Sequence, residues 1–283
     1  MKYSNRVLPE EDYVRVAENY YALRSEWVAQ TKEERHLDMC VCVAKRRKHL
    51  MLTGQSACVV LGIARVSPLE IRPHGISEKN RGADIVHWRI GAYDPKATKV
   101  KGLLVASAPR AICDLAKFDS TDSLLVSMNY CLHNNLFSKK QLYSEIEKRP
   151  GMKAQSSLLK TLKFATEKCE SPLETIAWIE IYKAGFVMPQ QQKNFYANHE
   201  HVARVDMYWE TYNRRVILEL DGKSKLNNEN DLYYEKIRED KLREMGFEVI
   251  RAGWRDVQDG RLVKLLKKRM IPMRRYTRRE FPR

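Results

Sequence analysis

Three acids in the last third of the chain stand where two short apolar runs can bring them together: Asp206 in Val205-Asp206-Met207-Tyr208-Trp209, and Glu219 and Asp221 in Val216-Ile217-Leu218-Glu219-Leu220-Asp221. The intervening residues 210–215 suit an antiparallel hairpin. Alternate residues of a strand share a face. Val205 and Met207 are therefore expected on one side and Asp206 on the other, with Ile217, Glu219 and Asp221 opposite Val216, Leu218 and Leu220. In that register the three carboxylates converge on a two-strand platform. Crowded carboxylates repel unless a cation neutralises them, and hard oxygen donors in that number suit Mg²⁺ or Mn²⁺. Such an ion acidifies a bound water and offsets charge building on a phosphate, so the chemistry indicated is phosphodiester hydrolysis, with Asp206, Glu219 and Asp221 as metal ligands and catalytic residues. Acids merely exposed at strand ends are the plain alternative. It suits one isolated Asp better than two acids on one face of an apolar strand, because burying unpaired charge is costly.

The elements that must position these acids begin at Ser171-Pro172-Leu173-Glu174, a helix start with Pro in the first turn and Glu closing onto the cap. The helix is expected to run to about residue 184, with Gly185 ending it. Strands are expected at 191–196, 202–209 and 215–221, a helix at 230–245 closed by Gly246, a strand at 247–251 and a last helix at 262–268, in the order α-β-β-β-α-β-α. Gln190, Gln191 and Gln192 enter the first strand, and one of them can hydrogen-bond a substrate. Arg238 and Lys241 lie three apart on one helix face, as phosphate contacts or as solvated charge. Trp254 reads as a packing anchor rather than a base-stacking wedge.

Upstream, residues 10–48 read as helical, because Tyr13, Val14, Val16, Ala17, Tyr20 and Tyr21 recur at helical spacing. The stretch ends in the basic run Lys45-Arg46-Arg47-Lys48. A short helix over 52–62 stops at Gly62, and short β-runs are expected at 69–72 and 85–90. Helices with a small β-wing read DNA in many proteins, and the same pattern serves equally as a protein-contact domain. Residues 108–166 read as all-helical with a core stripe of Leu124, Leu125, Met128 and Leu132, and Pro150-Gly151 marks a break. The expected divisions are 1–105 (helical, winged-helix-like), 106–167 (helical connecting region), 168–270 (the acid-bearing domain) and 271–283 (basic tail). About two domains is also what the length suggests.

The chain of 283 residues carries 51 Lys+Arg against 36 Asp+Glu, a formal net charge of +15. That excess favours a polyanionic partner such as nucleic acid, and a merely soluble basic protein is the plain alternative. From Arg261 onward there are ten Lys or Arg and one acid, Glu280, a run that is either solvated or a grip on the phosphate backbone. The six cysteines lie scattered in apolar stretches, with no second Cys/His pair at zinc-finger spacing beside Cys40-Val41-Cys42. They read as buried thiols of a reducing cytosol, and a cytoplasmic location is expected. No signal peptide is visible, and no apolar run approaches the ~20 residues of a membrane span.

Taken together, Arg204-Val205-Asp206, then Leu218-Glu219-Leu220-Asp221-Gly222-Lys223, then Arg238-x-Asp240-x-Leu242-x-x-x-Gly246-x-x-Val249-x-Arg251 resemble a domain of unknown function related to the very-short-patch-repair endonuclease, within the PD-(D/E)XK nuclease superfamily. The resemblance covers roughly residues 168–268. It implies an α/β (α+β) restriction-endonuclease-like mixed sheet flanked by helices, with Asp206 and Glu219 on the metal and Glu174 reaching the same site. Glu174 as a plain helix cap is the equal alternative. The superfamily carries Lys two residues after the second acid, where this chain has Asp221. The related domain often has Glu-x-Asp-Gly followed by His, where this chain has Lys223 and Lys225. Lys223 is the better candidate to handle the water, because Gly222 lets the chain turn back, and Lys225 the next. A solvent-facing lysine is the alternative for each.

A second resemblance covers Leu52-Thr53-Gly54-Gln55-Ser56-Ala57 with Leu61-Gly62, and Ser107-Ala108-Pro109-Arg110-Ala111-Ile112-Cys113-Asp114-Leu115. These are similar to AbiEi-type antitoxin proteins, winged-helix regulators of abortive-infection toxin–antitoxin pairs. That similarity implies DNA binding by the first ~90 residues, with Lys45, Arg46, Arg47 and Lys48 on the backbone, and a toxin or nuclease as protein partner. The expected activity is a prokaryotic-type metal-dependent DNA endonuclease. The alternative is a non-catalytic DNA-binding regulator or antitoxin with a degenerate nuclease fold, and a structural interaction module comes last because it leaves the aligned acids unexplained.

Overall fold

The structure is a computed structural model describing residues 1–4, 6–47, 49–77, 94–149, 152, 154–222, 229–269 and 271–273, with side chains at 229–232 left aside. The β-run expected at 85–90, the Pro150-Gly151 break, Lys48, Lys223, Lys225 and all but the start of the basic tail lie outside the described residues. The chain is α+β, with eleven helices among the described residues, and divides into two compact units, Met1–Ala165 and Thr166–Arg283. The helices of 106–165 thus belong to the same unit as the first 105 residues. No described helix is long and apolar enough to cross a membrane.

The first unit opens with β1 (Lys2–Tyr3), β2 (Tyr13–Ala17) and β3 (Tyr20–Leu23), a three-stranded antiparallel sheet in the order β1-β3-β2. This corrects the helix expected from residue 10. Tyr, Val and Tyr recur there at helical spacing, but these are β-forming types, and Asn19 adopts φ 64 in the tight connection between β2 and β3, a conformation Asn tolerates in hairpin turns. Helices α1 (Arg24–Ala29) and α2 (Lys32–Arg46) follow, and α2 begins on a capping box between Thr31 and Glu34. Then come β4 (Met51–Leu52), α3 (Gly54–Val60), β5 (Gly75–Ile76), β6 (Thr98–Val100) and β7 (Leu103–Val105), with the four strands in the mixed order β5-β4-β7-β6. Residues 69–72, expected as a strand, are irregular. Four helices close the unit: α4 (Ala108–Leu115), α5 (Thr121–His133), α6 (Lys139–Glu147) and α7 (Gln155–Phe164). Leu124, Leu125, Met128 and Leu132 are buried in its core.

The second unit runs α8 (Pro172–Lys183), β8 (Gln190–Ala197), β9 (Glu200–Glu210), β10 (Arg215–Leu220), α9 (Glu229–Glu244), β11 (Glu248–Ala252), α10 (Trp254–Gln258) and α11 (Arg261–Lys268). One sheet in the order β11-β10-β9-β8 carries the unit, antiparallel except for β10 with β11. A parallel pair needs a crossover, and α9 supplies it. Gly246 ends α9 at φ 82, the left-handed conformation that glycine adopts at little cost. On one face Ala177 and Ile181 of α8 and Leu262 and Leu266 of α11 pack against Met207, Trp209, Val216 and Leu218. On the other, Leu242 of α9 and Phe247 pack against Ala203, Val205, Tyr208 and Ile217. The central strand is thus apolar on both sides, except where Glu219 interrupts it. Trp254 packs against the first of these clusters. All six cysteines are buried free thiols, and burial pushes Cys40 and Cys58 up to about 12, which suppresses the thiolate needed for nucleophilic chemistry.

Candidate active site

The strict alternation expected along β9 breaks at Asp206. Val205 packs with Ala203 and Ile217, whereas Met207 packs with Trp209 and Leu218, so the two residues face opposite layers. Gln192, on β8 between the residues paired with Met207 and Val205, has φ 53. A non-glycine residue held there stores strain of about 1–3 kcal/mol, a feature that clusters at functional sites. Pairing between β9 and β10 ends at Leu218↔Met207. Past that point the Leu220 N–H donates to Asp206 Oδ2 at 2.9 Å. The Asp206 carboxylate therefore sits where the two strands part.

Around it opens a cleft of about 750 Å³, lined by Glu170, Glu174, Asp206, Glu219, Asp221 and Glu235 together with Arg204, Arg238 and Arg251, besides Gln192 and Tyr234. Among the described residues, six carboxylates against three guanidiniums line the cleft, in a chain of net charge +15. Glu219 is buried, at 7% exposure. Burial, reinforced by the charge of Asp206, pushes it up to about 7 against the pull of Arg238. Glu174 is raised as well, first by burial and then by Asp206. Asp206 thus acts electrostatically on both neighbours, and Glu174, Asp206 and Glu219 form one interacting group.

Glu174 fills both roles read from the sequence. Its N–H donates to Ser171 Oγ at 3.2 Å and its Oε1 accepts from that hydroxyl at 2.8 Å, which caps α8. Its Oε2 accepts from the Glu170 N–H at 3.0 Å and from Gln192 Nε2 at 3.1 Å, which turns the carboxylate toward the cleft. Of the three glutamines entering β8, Gln192 is the one that lines the site, while Gln191 is buried and donates to Cys169 Sγ.

Asp221 lines the same cleft as Asp206 and Glu219, but it is exposed and held by Arg251 at 3.1 Å. Arg251 also binds Glu235 at 2.5 Å and Glu239 at 2.8 Å, while Arg238 binds Glu235 at 2.7 Å and Glu219 at 3.2 Å. The result is an alternating chain, Glu219–Arg238–Glu235–Arg251–Asp221. Arg238, expected as a phosphate contact, faces these carboxylates, and Lys241 is exposed on α9. Glu235 went unread in the sequence, although Glu235, Arg238 and Glu239 recur at three- and four-residue spacing on one helix face.

No group of three or more His, Cys, Asp or Glu side chains among the described residues is arranged to enclose a metal. A Mg²⁺ or Mn²⁺ ion that keeps several of its waters needs only one or two carboxylates, and Asp206 and Glu219, which both line the cleft, are the residues that would hold it. No protein-family model, no curated protein and no solved structure matches this chain.

In the first unit the described nucleic-acid candidates lie together at the end of α2. Lys45 and Arg46 end α2, where Arg46 is ion-paired with Glu18, and Arg47 caps the helix through its N–H on Val43 O at 3.0 Å. The α3 helix is buried from Gly54 through Cys58 and again at Val60. A helix that reads a groove needs an exposed face, so α3 does not have that role. Its residues knit the unit together instead. Thr53 Oγ1 donates to Asp114 Oδ2 at 2.7 Å, Gln55 Nε2 to Asp119 Oδ1 at 3.0 Å, and Ser56 Oγ lies 2.8 Å from His36 Nε2. Residues 52–62 and 107–115 thus meet through Thr53 and Asp114.

Proposed function

We propose that the second unit is a divalent-metal-dependent DNA endonuclease of the PD-(D/E)XK type, related to the very-short-patch-repair class. Asp206 and Glu219 side by side at the point where β9 and β10 part carry this reading. They hold Mg²⁺ or Mn²⁺, which supplies an activated water and neutralises charge on the phosphate. Glu174 supports Asp206 from the helix cap, and Gln192 positions Glu174. Asp221 acts on Arg251 rather than as a third ligand. Lys223 or Lys225 handles the water. The first unit is the DNA- or partner-binding module, a winged-helix-like domain in the AbiEi manner, with a toxin or nuclease as its protein partner.

The regulator reading, a degenerate nuclease fold that binds DNA without cutting it, is favoured by one observation. The position that carries Lys in the superfamily is Asp221, and here it is an acid ion-paired with Arg251. Plasmid nicking separates the two. With Mg²⁺ or Mn²⁺ the wild type is expected to nick and linearise plasmid, and Asp206→Asn to lose about 10³-fold or more in rate, since the ion contributes several kcal/mol at the transition state. Equal nicking by the two proteins removes the assignment, and no nicking by either favours the regulator.

A further inference from the structure

Every arginine of the cleft is already engaged: Arg204 with Glu170 at 2.7 Å, Arg251 with three carboxylates, and Arg238 with Glu219 and Glu235. Among the described residues, the cleft therefore offers a phosphate no arginine that is not already ion-paired. One of these arginines must change partner before it can contact a phosphate. Arg238 is the group placed to change. Its contact with Glu219 is the longer of its two, at 3.2 Å against 2.7 Å to Glu235. Glu235 is also held by Arg251, so it stays paired when Arg238 turns away, and Glu235 lies one turn before Arg238 on α9, which leaves a pivot in place.

We propose that Arg238 is a latch: without metal it neutralises Glu219, and when a divalent cation takes that carboxylate the guanidinium is released to a substrate phosphate. The proposal rests on the metal-dependent reading above and adds an order of binding to it, cation first and nucleic acid second. Cation and guanidinium compete for one carboxylate, so Arg238 weakens metal binding and strengthens metal-dependent substrate binding. A merely structural arginine would not move these two quantities in opposite directions.

The test uses the full chain. Calorimetric titration with Mn²⁺ is expected to show Arg238→Gln binding the ion about three- to tenfold more tightly than wild type, because its competitor is gone. Fluorescence anisotropy of a labelled DNA duplex is expected to show Ca²⁺ raising wild-type affinity by about tenfold over EDTA, and raising that of Arg238→Gln by less than about threefold. Arg238→Lys keeps the charge but loses the planar fork that reaches Glu219 and Glu235 together, and it is expected to bind Mn²⁺ more tightly than wild type, which keeps the question open to decision should the Gln variant fail to fold. Mn²⁺ affinity unchanged or weakened in the folded variants overturns the latch, as does an undiminished Ca²⁺ gain. A wild type that binds no Mn²⁺ overturns the metal reading itself and the latch with it.

Discussion

Glu219→Gln, measured in EDTA, is expected to stabilise the protein at pH 8 by roughly 2–3 kcal/mol while removing Mg²⁺-dependent cleavage. Burial and the neighbouring Asp206 raise Glu219 from 4.5 to about 7, so the folded state holds its proton more tightly than the unfolded chain does. The sign follows from that. Below pH 4.5 both states are protonated and the side chain costs nothing. As pH rises from 4.5 through 7 the unfolded chain releases its proton first, and stability falls by an amount set by the shift. At pH 8 the full cost is present, and the pull of Arg238 is already contained in the shift. Gln has nearly the same shape and no charge, so the difference between the variant and wild type in denaturant melts should grow across that window and vanish near pH 4.5. A variant that is less stable than wild type at pH 8 would show that the charge is fully compensated. The same titration makes Mn²⁺ affinity fall as pH drops below about 7, because ion and proton compete for the carboxylate.

Asp114→Ala is expected to destabilise the first unit by about 3–5 kcal/mol, enough to abolish a marginal fold. Asp114 is 2% exposed and accepts from Arg110 Nε and Thr53 Oγ1, each at 2.7 Å. Burial alone would raise its carboxyl, but Arg110, Thr53 and Lys117 outweigh that and hold it below the ordinary value. The contribution is therefore present at neutral pH and lost as pH falls through the carboxylate range. Removing the carboxylate leaves Arg110, itself 8% exposed, as an uncompensated charge. Chemical melts of wild type and variant at pH 7 check this, and a loss under about 1 kcal/mol would show that water reaches Arg110. Because this contact joins residues 52–62 to 107–115, the same experiment measures how much the two segments contribute to folding.

The acids were legible in the sequence because a strand carries its side chains with period two and β10 is apolar between them. The helix start at Ser171-Pro172-Leu173-Glu174, the three strands, Gly246 and the closing helix were legible for the same reason, each being a local rule. What the spacing could not convey was the reversal of faces at Asp206, since it depends on a left-handed residue, Gln192, in the neighbouring strand. The Glu235–Arg251 contact spans β11 and α9 and depends on how the helix is rotated over the sheet. The β2–β3 hairpin was misread because helical and strand periodicities coincide over so few residues, and residue type was the better guide. The polar residues at and within the start of α3 are committed to Asp114, Asp119 and His36, partners distant in sequence that a local pattern does not reveal.

The central claim is that Asp206 and Glu219 share one divalent ion. Crystals of the full chain soaked in Mn²⁺ at pH 8, with anomalous scattering collected at the manganese edge, address it directly. A single peak within about 2.0–2.3 Å of oxygens from both Asp206 and Glu219, absent from Asp206→Asn crystals, is the predicted result. An empty cleft in which Arg238 still holds Glu219 at saturating Mn²⁺, or a peak bound elsewhere, would contradict it.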